Sequence, residues 1–311
     1  HWEDMTILHE EIKVKGRDQP VKLDVRLTRH GPIMTPVLKK AKQQLALRWT
    51  ALEGGQLFRS VYMLDRARNW EEFREALRYW HAPSQNFVFA DKQGNIGYQM
   101  PGNIPIRAKG QGLVPVPGWT GEYEWSGYIP FEELPFVHNP PQHYIVTANN
   151  KIVPDDYPYF ISYEWAPPFR AQRIVQLLQD REDLTADDFR DIQADTYSIP
   201  GATLLPYILA LEPQGWLQER AMNVLRDWDF RVEIKSAGAG IFEVTYWRLL
   251  ANTFGDELQQ AGIEDWHGLP LALLNIMDDK DNPWFDDVRT SEAENRDDIV
   301  RHIAKFVAPE V

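Results

Sequence analysis

Two asparagines stand side by side at 149 and 150, separated by two residues from the apolar run Tyr144-Ile145-Val146. They lie inside HYIVTANNKIVPDDYPYFISYEWAPPFRAQRI, which runs from His143 to Ile174. A carboxamide at the mouth of a buried strand offers N–H donors where a ligand or a developing negative charge can sit. Asn also tolerates left-handed backbone, so an Asn-Asn pair makes ordinary turns as well. The same stretch crosses a Pro- and aromatic-rich loop and ends where a helix begins with Arg170, a cation that on residue type alone would bond the loop before it. A second group that could do chemistry is Arg29-His30-Gly31-Pro32, in which a histidine follows a strand and precedes a Gly-Pro turn. The chain contains 0 Cys, which removes thiolate nucleophiles, thiolate metal sites and disulfides together.

Composition narrows the classes further. At 311 residues, 43% hydrophobic and 25% charged, the chain can bury a sizeable core as one large domain or two lobes. Lys and Arg total 33 against 46 Asp and Glu, a formal net charge of −13 with no basic stripe to offset it, so a nucleic-acid partner is not expected. No apolar run approaches the roughly 20 residues of a membrane span, and the opening HWEDMTILHEEIKVKG carries no signal-peptide pattern. Twelve Trp, 12 Tyr and 14 Phe supply material for thick cores and apolar pockets.

The elements that must position these groups follow from periodicity. Residues 6–15 and 20–28 read as a hairpin, the second strand alternating Val21, Leu23, Val25 and Leu27 with polar residues as a half-buried strand does. Residues 44–51 read as a strand. Residues 69–81 form a helix with Asn69 as N-cap, Glu72 three residues on, and Phe73, Leu77 and Trp80 as its core stripe. Residues 86–91 and 96–100 flank KQGN, whose Gly94-Asn95 has tight-turn chemistry, and make the clearest hairpin. The long connection 101–142 is rich in Pro, Gly and Trp; Trp119, Tyr123, Trp125 and Tyr128 are expected to pack there rather than to stack on a sugar. Helices are expected at 167–180, 185–195 with Thr185 as cap, 202–212, 215–227, 240–259, 265–278 and 291–307. The last opens with a Ser291-x-x-Glu294 capping box, and Gly238-Ala239-Gly240 and 279–287 read as joints. Strands first and helices later predict an α+β fold, β-rich over 1–165 and mainly helical over 166–311.

An ordered set of motifs resembles the penicillin amidase (penicillin acylase) family of N-terminal-nucleophile hydrolases. These are TRHGPI at 28–33, DKQGNIGY at 91–98, LVPVPGWTGEYEWSGYIPFEELP at 113–135, TANN at 147–150, DYP at 156–158 and EWAPPFRAQRI at 164–174. The resemblance implies the αββα fold of that class and hydrolysis of a linear amide. In that chemistry a chain-terminal Ser, Thr or Cys attacks with its own α-amine as base, since an α-amine titrates near working pH. By resemblance, Asn149 is the side-chain donor to the oxyanion, and Arg170, followed by the family's apolar position at Ile174, orients the nucleophile and its neighbours. Matching outward from Asn69 and Asn86 places Val61 and Gln85 where penicillin G acylases carry large apolar residues of the acyl pocket. The changed residues make an aromatic phenylacetyl substrate doubtful and point to an acyl-homoserine-lactone acylase as the second reading.

The first residue, His1, is neither Ser, Thr nor Cys, and HWEDM resembles the middle of the family's catalytic β-subunit. The sequence is therefore expected to be an internal fragment of a larger precursor and inactive alone. Its nucleophile segment and the α-subunit are then its partners, in a periplasmic or extracellular enzyme. Several family members bind calcium through upstream carboxylates; Asp155-Asp156 and Asp278-Asp279-x-Asp281 read as solvated loop groups, so no metal or cofactor is assigned to this chain. Arg29-His30-Gly31 also resembles the histidine phosphatases, with His267-Gly268 as the conceivable second histidine, and a non-catalytic binding module is the remaining class.

Overall fold

The computed structural model describes residues 2–38, 41–263 and 269–307. It divides into two compact units, His1–Ile145 with Ile152–Tyr163, and Val146–Lys151 with Glu164–Val311. Helices mixed with small antiparallel sheets make the fold α+β.

The first unit carries β1 (Thr6–Ile12), β2 (Val21–Thr28) and β3 (Gly31–Pro32), then α1 (Leu57–Leu64) and α2 (Trp70–Leu77). It continues with β4 (Phe87–Ala90), β5 (Ile96–Gln99), β6 (Pro105–Arg107), β7 (Trp125–Tyr128) and β8 (Phe136–His138). They form antiparallel sheets ordered β1-β2-β3, β4-β5-β8 and β6-β7. The Asn69 cap is present, its side chain accepting from the Glu72 amide at 2.8 Å, and Trp70, Phe73 and Leu77 are buried against Phe87 and Phe89. Asp91 ties the β4–β5 turn by accepting from the Gln93 and Asn95 amides, each at 2.9 Å.

Three expectations fail in this unit. Residues 44–51 are not a strand: Ala46 makes an isolated bridge to Ile33, and Thr50–Leu52 turns into a 3-10 helix, because alternation without a partner strand closes no ladder. The β1–β2 hairpin has the expected pairing, but its half-buried face is confined to Val25 and Leu27; Ile7, Leu8, Val21 and Leu23 are exposed. Trp119 is 84% exposed rather than packed, whereas Trp125 lies beneath the Arg48 guanidinium at 4.5 Å.

The second unit is helical: α3 (Phe169–Leu178), α4 (Ala186–Gln193), α5 (Ile199–Leu209), α6 (Trp216–Arg226), α7 (Ala237–Gln260), α8 (Pro270–Ile276) and α9 (Arg296–Val307). Its core gathers on α7, where Phe242, Leu249 and Phe254 are buried with Leu204, Leu225, Leu273 and Phe285. Thr185 caps α4 in a reciprocal box with Asp188. Gly238-Ala239-Gly240 is not a joint but the first turn of α7. A Cβ on Gly238 would sit 2.6 Å from Trp228, so glycine lets that helix start against the indole. The capping box expected at Ser291 is absent as well; Asn295 receives the Asp297 and Asp298 amides at 3.0 and 3.3 Å, which starts α9 later.

Candidate active site

The paired asparagines lie in the second unit, in the turn Thr147–Lys151, and do different work. Asn149 has a left-handed backbone with φ of 62°, a conformation Asn accepts more readily than most residues. Its carbonyl accepts from the Ala166 amide at 2.9 Å, which ties the turn to the loop leading into α3. Asn150 faces back, its Oδ1 accepting from the Ala148 amide at 3.1 Å, and braces the turn. Ala148 is buried while Asn149 is exposed, so the anchor is inside and the carboxamide outside.

Arg170, the second residue of α3, reaches this turn. Its Nη2 donates to the Ala148 carbonyl at 2.7 Å and to Asn149 Oδ1 at 3.0 Å. A guanidinium only donates, so the oxygen of the Asn149 carboxamide must face it, and the two Nδ2 hydrogens are turned away from the cation. The contact thus fixes which end of the amide is offered to a ligand: a donor of N–H, in an exposed position, backed by a positive charge. Such a group stabilises a developing oxyanion. The bond of Arg170 to the preceding turn is the one its residue type suggests, and that same bond orients Asn149.

Val61 and Gln85 belong to the first unit. Val61 is 40% exposed on α1, and Gln85 is exposed in the loop before β4. α1, which sequence reasoning did not assign, is inverted: Phe58, Val61 and Tyr62 face outward while Ser60 is fully buried. Its start abuts the loop leading to Gln85, for the Gln56 amide donates to His81 Nδ1 at 3.2 Å.

Arg29 and His30 converge on Glu124, a residue that sequence reasoning missed. Glu124 Oε1 lies 2.7 Å from Arg29 Nη1 and 2.9 Å from His30 Nε2, and Oε2 lies 3.6 Å from Arg48 Nη1. The hydrogen bond from His30, and then that from Arg29, hold this carboxyl below its usual range against the opposing effect of burial. A second Arg29 bond, from Nη2 to the Gly118 carbonyl at 2.8 Å, locks the turn to the aromatic loop. Here His30 staples a turn to a loop through Glu124, which gives no support to a phosphoryl-accepting role. His267 and Gly268 lie outside the described residues.

Among the described residues, no group of three or more His, Asp or Glu side chains is arranged to hold an ion. Of the loop carboxylates, Asp278 accepts from the Tyr207 hydroxyl and Asp279 from Asn282 at 3.1 Å. No described helix is long and apolar enough to cross a membrane.

The architecture is that of an N-terminal-nucleophile hydrolase. It aligns with the thermostable penicillin G acylase of Alcaligenes faecalis at a TM-score of 0.72 and 22% identity, covering 97% of this chain and 60% of that one. The penicillin amidase family model matches residues 1–310, and the chain belongs to that family. Among curated relatives, the acyl-homoserine lactone acylase QuiP of Pseudomonas fluorescens is 30% identical, over 96% of this chain and 40% of that protein. The penicillin acylase 2 proenzyme of a Pseudomonas species is 36% identical, over 78% of this chain and 31% of that protein. The chain thus spans at most about two fifths of the length of these relatives.

Proposed function

We propose that this chain is the oxyanion-stabilising region of an acylase that hydrolyses a linear amide between an acyl chain and an amine. The observation that carries the reading is the Arg170–Asn149 contact, which presents a carboxamide N–H outward from a braced left-handed turn. In the full-length protein a terminal Ser attacks the amide carbonyl with its α-amine as base, and the oxygen that gains charge is met by Asn149 Nδ2. Arg170 holds that donor in place and orients groups around the nucleophile. An acyl-enzyme forms as the amine leaves, and water then releases the acid.

Val61 and Gln85 are assigned to the acyl side of the substrate, supported by the apolar outer face of α1. The exposed apolar residues of the β1–β2 hairpin support association with other segments of the precursor: the nucleophile-bearing start of the β-subunit and the α-subunit. The resemblance supports an enzyme of the periplasm or the cell exterior, and no cofactor is assigned to these residues.

The second reading keeps the chemistry and changes the substrate to an acyl-homoserine lactone, favoured by the extent of the alignment with the QuiP acylase. Assaying the full-length protein on phenylacetyl and long-chain anilides and on acyl-homoserine lactones tests both. Release of amine is expected, with the preferred acyl group deciding between them, and the 311-residue chain alone is expected to show no turnover. An inactive full-length protein against the whole panel contradicts the reading.

A further inference from the structure

We infer that Asp195 is a positioning residue for the oxyanion site, holding the first turn of α3 and through it the Arg170 guanidinium that orients Asn149; this rests on the reading of Asn149 given above. Arg170 and Arg173 sit three residues apart on α3, on neighbouring positions of one face. Arg173 grips Asp195 as a fork, Nε to Oδ1 at 2.7 Å and Nη2 to Oδ2 at 3.0 Å. Two parallel bonds fix direction as well as distance, which a single bond does not.

Asp195 is itself rigidly placed. Its side chain is 9% exposed, between α4 and α5, and it also accepts from Arg231 Nη1 at 3.2 Å and from the Tyr197 amide at 3.3 Å. These donors, Arg173 foremost, keep its carboxyl ionised below the usual range. Arg173 further lies over the Tyr197 ring at 4.5 Å.

The N-cap of α3, Pro168, makes no side-chain capping bond, and the buried residue nearest that end is Ala171, a single methyl. The Asp195 fork therefore adds, to the Ala166 tie and the bonds of Arg170 itself, a restraint on the rotation of the turn that carries Arg170. Arg173, Tyr197, Thr203 and Arg231 are among the residues that line an open cavity of about 570 Å³.

The test uses the full-length acylase. Asp195→Asn keeps the shape but weakens the fork and is expected to lower kcat about 10- to 100-fold, the scale of an ångström-sized misplacement, with KM within about threefold. Asp195→Glu, which retains the carboxylate, is expected to recover most of kcat. Arg190→Ala, which breaks an exposed α4 pair with Asp187, is expected to change neither constant. If Asp195→Asn does not accumulate as soluble enzyme, Arg173→Lys keeps the charge, loses the fork and is expected to show the same split. Wild-type kcat in Asp195→Asn or Arg173→Lys, with Asn149→Gly inactive, overturns the positioning role alone. Full activity in Asn149→Gly removes the oxyanion reading itself, and the positioning role with it.

Discussion

The turn at Arg29-His30 and the turn at Asn149-Asn150 each set an arginine beside a residue able to catalyse, yet they end in opposite states. In the first, Arg29, His30 and Arg48 close on one carboxylate, Glu124, and the histidine that looked reactive is a staple. In the second, Arg170 takes the oxygen of Asn149 and turns its N–H groups outward, so the residue that looked like a turn-former is the one that presents donors in an exposed position. Residue type did not separate the two; how each group's hydrogen-bonding capacity is used up did.

The largest test of that contrast is in activity. Asn149→Gly keeps the positive φ at no steric cost and deletes the donor, so kcat of the full-length acylase is expected to fall by about 10²- to 10³-fold, or about 2.7–4 kcal/mol, with the melting temperature nearly unchanged. His30→Ala should leave kcat within a few-fold while lowering the melting temperature; the reverse outcome would break the comparison.

A second pair of acids sharpens it on stability. Glu257 on α7 is pushed up to about 7, first by burial and then by the Asp256 carboxylate beside it. Buried oxygens on both, Asp256 Oδ1 and Glu257 Oε2, have no hydrogen-bond partner, so a proton on Glu257 relieves the crowding. A carboxyl whose folded value is raised contributes stability below its unfolded value near 4.5, and that contribution is lost as pH climbs toward about 7. Denaturant titrations of the 311-residue chain should show a loss of about 1–3 kcal/mol over that window, flattened in Glu257→Gln.

Glu124 should slope the other way. Its lowered carboxyl contributes stability above about 4.5, lost as pH falls through the folded value. Glu124→Gln is expected to cost about 1–2 kcal/mol at pH 7 and to remove that acid-limb slope in the same titration. Smallest of all, Val61→Ala should shift KM for long-chain over short-chain acyl substrates about threefold to tenfold with little change in kcat, read from steady-state kinetics on a chain-length series.

What was legible in the sequence was local. Asn69, Thr185 and Gly94-Asn95 act within four residues of themselves, and the elements they define formed as read. Residues 44–51 alternate like a strand but find no ladder, because their partner had to arrive from afar. Ser291 loses its cap to Asn295 four residues on, and α1 was missed although Leu57, Phe58, Val61 and Tyr62 recur at helical spacing. The site divides the same way. Asn149 was legible as a turn and, by family resemblance, as a donor, whereas the 21-residue reach of Arg170 onto its Oδ1 and the 94-residue convergence of His30 and Glu124 carry no local signature.

The central claim is that Asn149 Nδ2 meets the oxygen on which charge develops. A crystal structure of the full-length acylase trapped with a phosphonate ester on its nucleophile measures this directly. The phosphonyl oxygen is expected 2.7–3.1 Å from Asn149 Nδ2, with Arg170 still on Oδ1; that oxygen bound by other donors, with Asn149 turned away from it, would contradict the account.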